Sequence, residues 1–119
     1  TDLNVSQIAL GTGNFGTGWG YGSSPEEAKL ILDAYLNAGG NFIHTADVYQ
    51  FGQSEEILGD LLQGIHHEVI LVTKFSSGAS PDTNQLYKGN SRKAMLYSIE
   101  QSLRRLKTDY IDLYWVHRV

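Results

Sequence analysis

Cysteine is absent from the 119 residues, which removes disulfide frameworks, thiolate nucleophiles and zinc-thiolate sites from consideration. Long apolar runs are missing too. None approaches the roughly 18 residues of a membrane span, and the opening TDLNVSQ has neither the basic start nor the apolar centre of a signal peptide. The expected location is therefore the cytoplasm. Nor is there a basic excess. Lysines and arginines number 9 against 13 aspartates and glutamates, for a net charge of −4, so no nucleic acid and no anionic membrane surface is expected as a partner. What remains is a chain of one ordinary domain, residues 1–119, whose 41% hydrophobic content suffices for one core. Its reactive groups are histidine, tyrosine, lysine, serine and carboxylates.

Residues 7–10 make a brief strand-like run that leads into six glycines, Gly11, Gly13, Gly16, Gly18, Gly20 and Gly22. Each would cost a helix about 1 kcal/mol relative to alanine, so residues 11–23 read as a loop. Ser24-Pro25-Glu26-Glu27 then supplies an N-cap serine, a proline at the first helical position and a glutamate three residues after the cap. The spacing predicts a helix to about Ala38, with Ala28, Ile31, Leu32, Tyr35 and Ala38 inward and Gly39-Gly40 as its stop. Residues 41–45 form a second strand. Ser54-Glu55-Glu56 predicts a second helix, capped by Ser54, with Ile57, Leu58, Leu61, Leu62 and Ile65 inward. Residues 69–72 are an unalternated apolar run of the kind covered on both faces, which favours a parallel sheet. Residues 76–90 have turn composition and exceed the usual loop length, the mark of a functional lid or of local disorder. A third helix over about 91–106, with Leu96, Ile99, Leu103 and Leu106 on one face, precedes a fourth strand over 110–117.

This β-α-β-α-β-α-β order with short connections is the signature of right-handed parallel crossovers. In such folds the C-terminal strand edges share one rim, where residues distant in sequence meet. His44, Lys74 and His117 stand at or next to such edges, with Tyr49 just beyond the first. Singly, each is an ordinary charged or packing residue. Together, they outline one pocket. Gly11-Thr12-Gly13-Asn14-Phe15-Gly16 matches GxGxxG literally, but a dinucleotide fingerprint must open a helix, and Thr17 to Gly22 intervene. Trp19 and Tyr21 in that loop would either wall a substrate or pack on their own domain. His66-His67, in a helix-to-strand connection at the opposite end, read as solvent-facing. Neither a GxSxG elbow nor an HExxH pair is present, and no metal ligands are assigned.

The segment Asn41-Phe42-Ile43-His44-Thr45-Ala46-Asp47-Val48-Tyr49, followed by Gly52-Gln53-Ser54-Glu55-Glu56-Ile57-Leu58-Gly59, closely resembles the signature of the aldo-keto reductase superfamily. Val72-Thr73-Lys74, the run from Asp109 to His117, and the run from Leu10 to Gly16 match in the same order. The resemblance implies a (β/α)8 TIM barrel that reduces aldehydes and ketones with NADP(H). By position, Tyr49 is the implied proton donor, Lys74 the cation beside it and His117 the residue that orients the carbonyl. Gly11, Thr12 and His44 fall where cofactor contacts are implied. A phenol with a pKa near 10 is a poor acid at neutral pH unless a cation stabilises its anion.

Two departures stand out. His44 replaces an aspartate that the family pattern carries five residues before the tyrosine. Such a carboxylate about 4 Å from an ammonium contributes roughly 4 kcal/mol at an effective dielectric near 20. Reductase activity is therefore expected to be weakened, with Asp47 as a candidate substitute for the missing charge. The second departure is length, since a complete barrel takes about 250 residues. The expected architecture is a partial (β/α)8 barrel, a half-barrel of four parallel strands and three helices, truncated after the fourth strand. Open strand edges recruit partners, so a homo-oligomer is expected, alongside a small carbonyl substrate. The alternatives are a non-catalytic oligomeric remnant, or a weak hydrolase or metal-binding activity recruited to the same rim.

Overall fold

The computed structural model describes residues 2–119. Strands β1 (Leu10–Gly11), β2 (Phe42–His44), β3 (Ile70–Phe75) and β4 (Leu113–Val116) alternate with helices α1 (Pro25–Asn37), α2 (Gln53–Leu61) and α3 (Arg92–Leu106). The sheet order is β1-β2-β3-β4 and every pair is parallel. Register puts Gly11, His44, Val72 and Leu113 level across the sheet, with Lys74 beside Trp115 two residues further along. The strands are shorter than expected at their starts. β1 begins at Leu10 rather than Gln7, and β4 at Leu113 rather than Tyr110. Ahead of β4, the Asp112 carboxylate accepts the Leu71 N–H at 2.8 Å, supplying the bond that a strand carbonyl would otherwise make.

Side chains alternate across the sheet. Ile43 and Leu71 turn toward the helices and join Phe15, Ala28, Leu32, Leu58, Leu62 and Leu106 in the core. Each fully buried leucine contributes about 2 kcal/mol. Phe42, His44, Val72, Lys74, Leu113 and Trp115 occupy the alternate positions and line the other face.

α1 forms as its sequence dictates. Ser24 Oγ accepts the Glu27 N–H at 3.2 Å, and Glu27 Oε1 accepts the Ser24 N–H at 3.1 Å, completing the capping box. Its inner face differs slightly, because Ile31 is 42% exposed while Leu36 packs on the core. α2 departs more. Its cap is Gly52, and Ser54 lies inside the helix with its hydroxyl buried against Thr12 and Thr45. In α3 the buried stripe is Ala94, Ser98, Ser102 and Leu106, not the leucine-rich face, and Leu96 is 45% exposed. Small residues win there because α3 approaches closely. A Cβ on Gly59 of α2 would collide with the Arg105 carbonyl.

Residues 76–90 pack against α3. They contain a single 3-10 turn (Gln85–Tyr87), and Tyr87 stacks on Tyr97 at 3.9 Å between ring centroids. His66 is not solvent-facing as expected. Its ring packs on Tyr110 at 4.7 Å, and both its nitrogens are buried, while His67 is exposed. No described helix is long and apolar enough to cross a membrane.

Candidate active site

The turn after β2 presents Tyr49 by an unusual backbone route. Gln50, Phe51 and Gly52 follow with φ of 52°, 56° and 93°, three consecutive left-handed residues of which two are not glycine. Such conformations cost of order 1–3 kcal/mol each and persist only where the surroundings impose them. Here the glycine loop does so. Gln50 is fully buried, its Nε2 donates to the Gly13 carbonyl at 3.1 Å, and its Oε1 accepts the Trp19 N–H at 2.9 Å. Gln53 Oε1 accepts the N–H groups of Thr17 and Gly18 at 2.8 and 3.0 Å. Gly16, at φ 115°, leaves room for both side chains, since a Cβ would stand 2.8 Å from Gln53 and 3.0 Å from Gln50. Residues 13–19 therefore clasp the tyrosine turn, and residues 11–16 open no helix, so the literal GxGxxG is not a dinucleotide fingerprint.

At the rim, the Lys74 ammonium donates to the Thr45 carbonyl at 2.8 Å and to the Tyr49 hydroxyl at 3.3 Å, 5.0 Å from the centre of the tyrosine ring. Lys74 is 9% exposed, and among the described residues no carboxylate lies within ion-pair distance of it. His117 meets the Tyr49 ring edge-on at 5.9 Å. The structure thus brings Tyr49, Lys74 and His117 together. His44 stands deeper, edge-on to Phe42 at 4.6 Å and to Trp115 at 5.0 Å. Desolvation, then the Lys74 charge, hold both imidazoles below the usual histidine range, with Arg118 adding to the effect at His117. Both are neutral at pH 7. Lys74 is the cation of the rim.

Asp47 does not replace the missing carboxylate. Only its backbone N–H reaches Lys74, donating to the carbonyl at 3.2 Å, while its side chain turns under α3. Thr12 is fully buried, its hydroxyl 3.0 Å from the His44 carbonyl and 2.8 Å from Ser54 Oγ, so its side chain is occupied structurally. Gly11 is exposed, and a Cβ there would meet nothing within 4 Å. Beside it, His44 Nε2 is buried without a protein partner. That open edge and orphaned nitrogen fit a sugar hydroxyl of a nicotinamide cofactor. Above Tyr49, Trp19 meets the ring edge-on at 6.3 Å, with Tyr21 at 6.1 Å and Phe51 at 6.3 Å from Trp19.

Sequence reading missed Gln50, Gln53 and the buried pair of Glu55 with Arg105, 2.9 Å apart, whose carboxylate also accepts from Thr73 at 2.9 Å. A glutamate opening a helix and an arginine near the end of another carry no signal that they pair.

The chain is 44% identical to an aryl-alcohol dehydrogenase [NADP(+)] of Phanerodontia chrysosporium over 97% of its length, covering 33% of that protein. It is 42% identical to Aldo-keto reductase YhdN of Bacillus subtilis, over 98% of this chain and 35% of that one. Among solved structures, an aldo-keto reductase from Bacillus halodurans in its holo form superposes with a TM-score of 0.82 at 33% identity, over 96% of this chain and 36% of that one. A putative aldo-keto reductase from Pseudomonas aeruginosa does so with a TM-score of 0.82 at 36% identity, over 98% and 44%. The chain spans about a third of the length of these curated relatives, and its four strands and three helices are half of a (β/α)8 barrel. The sequence model of the Aldo/keto reductase family matches residues 7–119, and the chain belongs to that family.

Proposed function

We propose that this chain carries the proton-donor side of an NADPH-dependent carbonyl reductase. The observation that supports this reading is the Lys74 ammonium held 3.3 Å from the Tyr49 hydroxyl. NADPH, when bound, supplies the hydride that reaches the carbonyl carbon. Tyr49 gives its hydroxyl proton to the carbonyl oxygen, and the adjacent ammonium stabilises the phenolate left behind until solvent reprotonates it. His117, neutral and edge-on to the tyrosine, orients the carbonyl oxygen by hydrogen bonding. Gly11 and His44 would hold the nicotinamide end, the first by its open backbone edge and the second by its orphaned nitrogen. Trp19, Tyr21 and Phe51 favour a flat aromatic aldehyde or ketone.

His44 weakens this machinery. A neutral imidazole squeezed between two rings cannot fix the ammonium as a carboxylate would, and turnover is expected to be slow. The experiment is NADPH oxidation with an aromatic aldehyde by the parent chain, His44→Asp and Tyr49→Phe. Faster oxidation in His44→Asp, abolished on adding Tyr49→Phe, supports the reading; equal rates in all three refute it.

The partner of this reading is a second copy of the chain. β1 and β4 are the sheet's outer strands, and Trp115 and Val116 on β4 are 41% and 49% exposed next to the site. One more set of four strands of this size, packed so that β4 of each copy meets β1 of the other, would close the rim. Sedimentation at micromolar concentration tests it, and a compact monomer excludes it.

A further inference from the structure

Asp47 is a buried carboxylate that the reductase reading does not use. It is 1% exposed, and its Oδ1 is buried without a hydrogen-bond partner. It lines a cavity of about 70 Å³ with Gly78 and Thr83 of the 76–90 segment and Ser98, Gln101 and Arg105 of α3. That volume accommodates about two waters, at ~30 Å³ each. The hydroxyls and the amide around it supply donors. Glu55 from α2, Arg105 and the Tyr97 phenol from α3, and the Tyr114 phenol from β4 are the titratable and charged groups that face it. The 76–90 segment contributes Gly78, Ala79 and the Thr83 hydroxyl at the cavity wall, none of them charged. Glu55 is already engaged by Arg105 and Thr73, so the Asp47 charge has no counterion of its own. Burial, then repulsion from Glu55, push its carboxyl up to about 7, with Arg105 opposing.

The placement of this carboxyl gives it leverage. Its backbone N–H is bonded to the Lys74 carbonyl, and the Tyr49 N–H donates to Ala46 one residue before it, each at 3.2 Å. The short turn that aims Tyr49 is therefore pinned to β3 on one side and roofed by the Asp47 cavity on the other.

We propose that Asp47 is a positioning residue of the reductase site: through water held in this cavity, its carboxyl couples the packing of α3 and the 76–90 segment to the turn that presents Tyr49 to Lys74. Protonated, it donates one hydrogen bond into the cavity. Ionised, it only accepts, and draws the Ser98, Gln101 and Thr83 donors and the waters toward it, shifting the turn. The effect on turnover rests on the reductase reading, whereas the coupling itself does not.

The test separates the two. A Trp115→Phe background leaves Trp19, in edge contact with Tyr49, as the sole tryptophan. Its fluorescence is followed from about pH 5 to about pH 9, across the range where a raised carboxyl titrates. One transition near neutrality is expected, lost in Asp47→Asn and retained in His44→Phe and His117→Phe. Ser98→Ala, which removes one donor to the ionised form, is expected to move the midpoint upward. A transition that survives Asp47→Asn overturns the proposal, as does a flat parent titration. Where turnover is measurable, Asp47→Asn is expected to alter the pH dependence of kcat while leaving KM unchanged. No turnover with the fluorescence transition intact sinks the reductase reading alone.

Discussion

Replacing Asp47 by asparagine is expected to stabilise the protein by an amount that grows with pH. In the unfolded chain this carboxyl has its ordinary value of 3.8, and in the folded state it is raised to about 7. Between those values the folded state holds a proton that the unfolded state has released, so stability falls as pH rises, and above the upper value the loss is complete. Each pH unit costs about 1.4 kcal/mol, which gives an upper figure of about 2 kcal/mol at pH 5 and about 4 kcal/mol at pH 8. Against a typical domain stability of about 5–15 kcal/mol, this is a large share. Asparagine stays neutral at every pH and mimics the protonated acid in size. Any fixed cost of the amide is the same at all pH values and drops out of the comparison. Urea unfolding of parent and variant at pH 5, 6, 7 and 8, followed by circular dichroism, reads the difference directly. A difference that does not change with pH would mean that Asp47 is solvated in the folded state, and a difference that shrinks toward high pH would reverse the sign of the argument.

Arg105→Met strands the fully buried Glu55 carboxylate, and a broken buried pair costs about 3–5 kcal/mol in denaturant unfolding. A loss below about 1 kcal/mol would show Glu55 already protonated or hydrated. Ser24→Ala removes the hydroxyl half of the α1 capping box and is expected to cost about 1 kcal/mol by the same measurement. Lys74→Met deletes the rim's cation. In the His44→Asp background it is expected to lower kcat for aldehyde reduction by about 10²–10⁴-fold, and an unchanged rate would remove the ammonium from the mechanism.

The parts of the fold that could be read from sequence are those set by local chemistry. Ser24, Pro25 and Glu27 specify the start of α1 through bonds made within three residues, and they form as expected. The run through Val72 and Lys74 dictates a buried parallel strand, because no alternation means two covered faces. Motif order then located Tyr49, Lys74 and His117, which meet at the rim as anticipated. Features that depend on tertiary approach were hidden. Ser54 has the composition of a cap, yet its hydroxyl is worth more between Thr12 and Thr45, and Gly52 begins α2 instead. Leucine spacing in α3 pointed to the wrong face, since the buried stripe is Ala94, Ser98, Ser102 and Leu106, and the helix end at Arg105–Leu106 packs directly on Gly59. The left-handed Gln50 and Phe51 carry no sequence mark at all, being imposed by hydrogen bonds from a loop more than 30 residues earlier.

Why a nearby aspartate cannot repair the loss of the family's carboxylate follows from the direction of the chain. His44 ends β2 on the face that carries Lys74, so its side chain reaches the interior occupied by Trp115. Three residues on, the chain has left the strand and begun to turn back toward α2. Asp47 therefore emerges among residues of α3 and the 76–90 segment, and only its backbone N–H meets Lys74. Glu55 and Arg105, not Lys74, are the charges that act on Asp47. Lys74 in turn acts on the two imidazoles, the phenol and a carbonyl, none of which neutralises it. Among the described residues, the chain thus carries a cation without an ion-pair partner on one face and, independently, a buried acid governed by Glu55 and Arg105 on the other. Restoring aspartate at position 44 is expected to satisfy the first and leave the second untouched. The near-neutral titration assigned to Asp47 should accordingly persist in His44→Asp, and its disappearance there would show that the two faces are electrostatically connected after all.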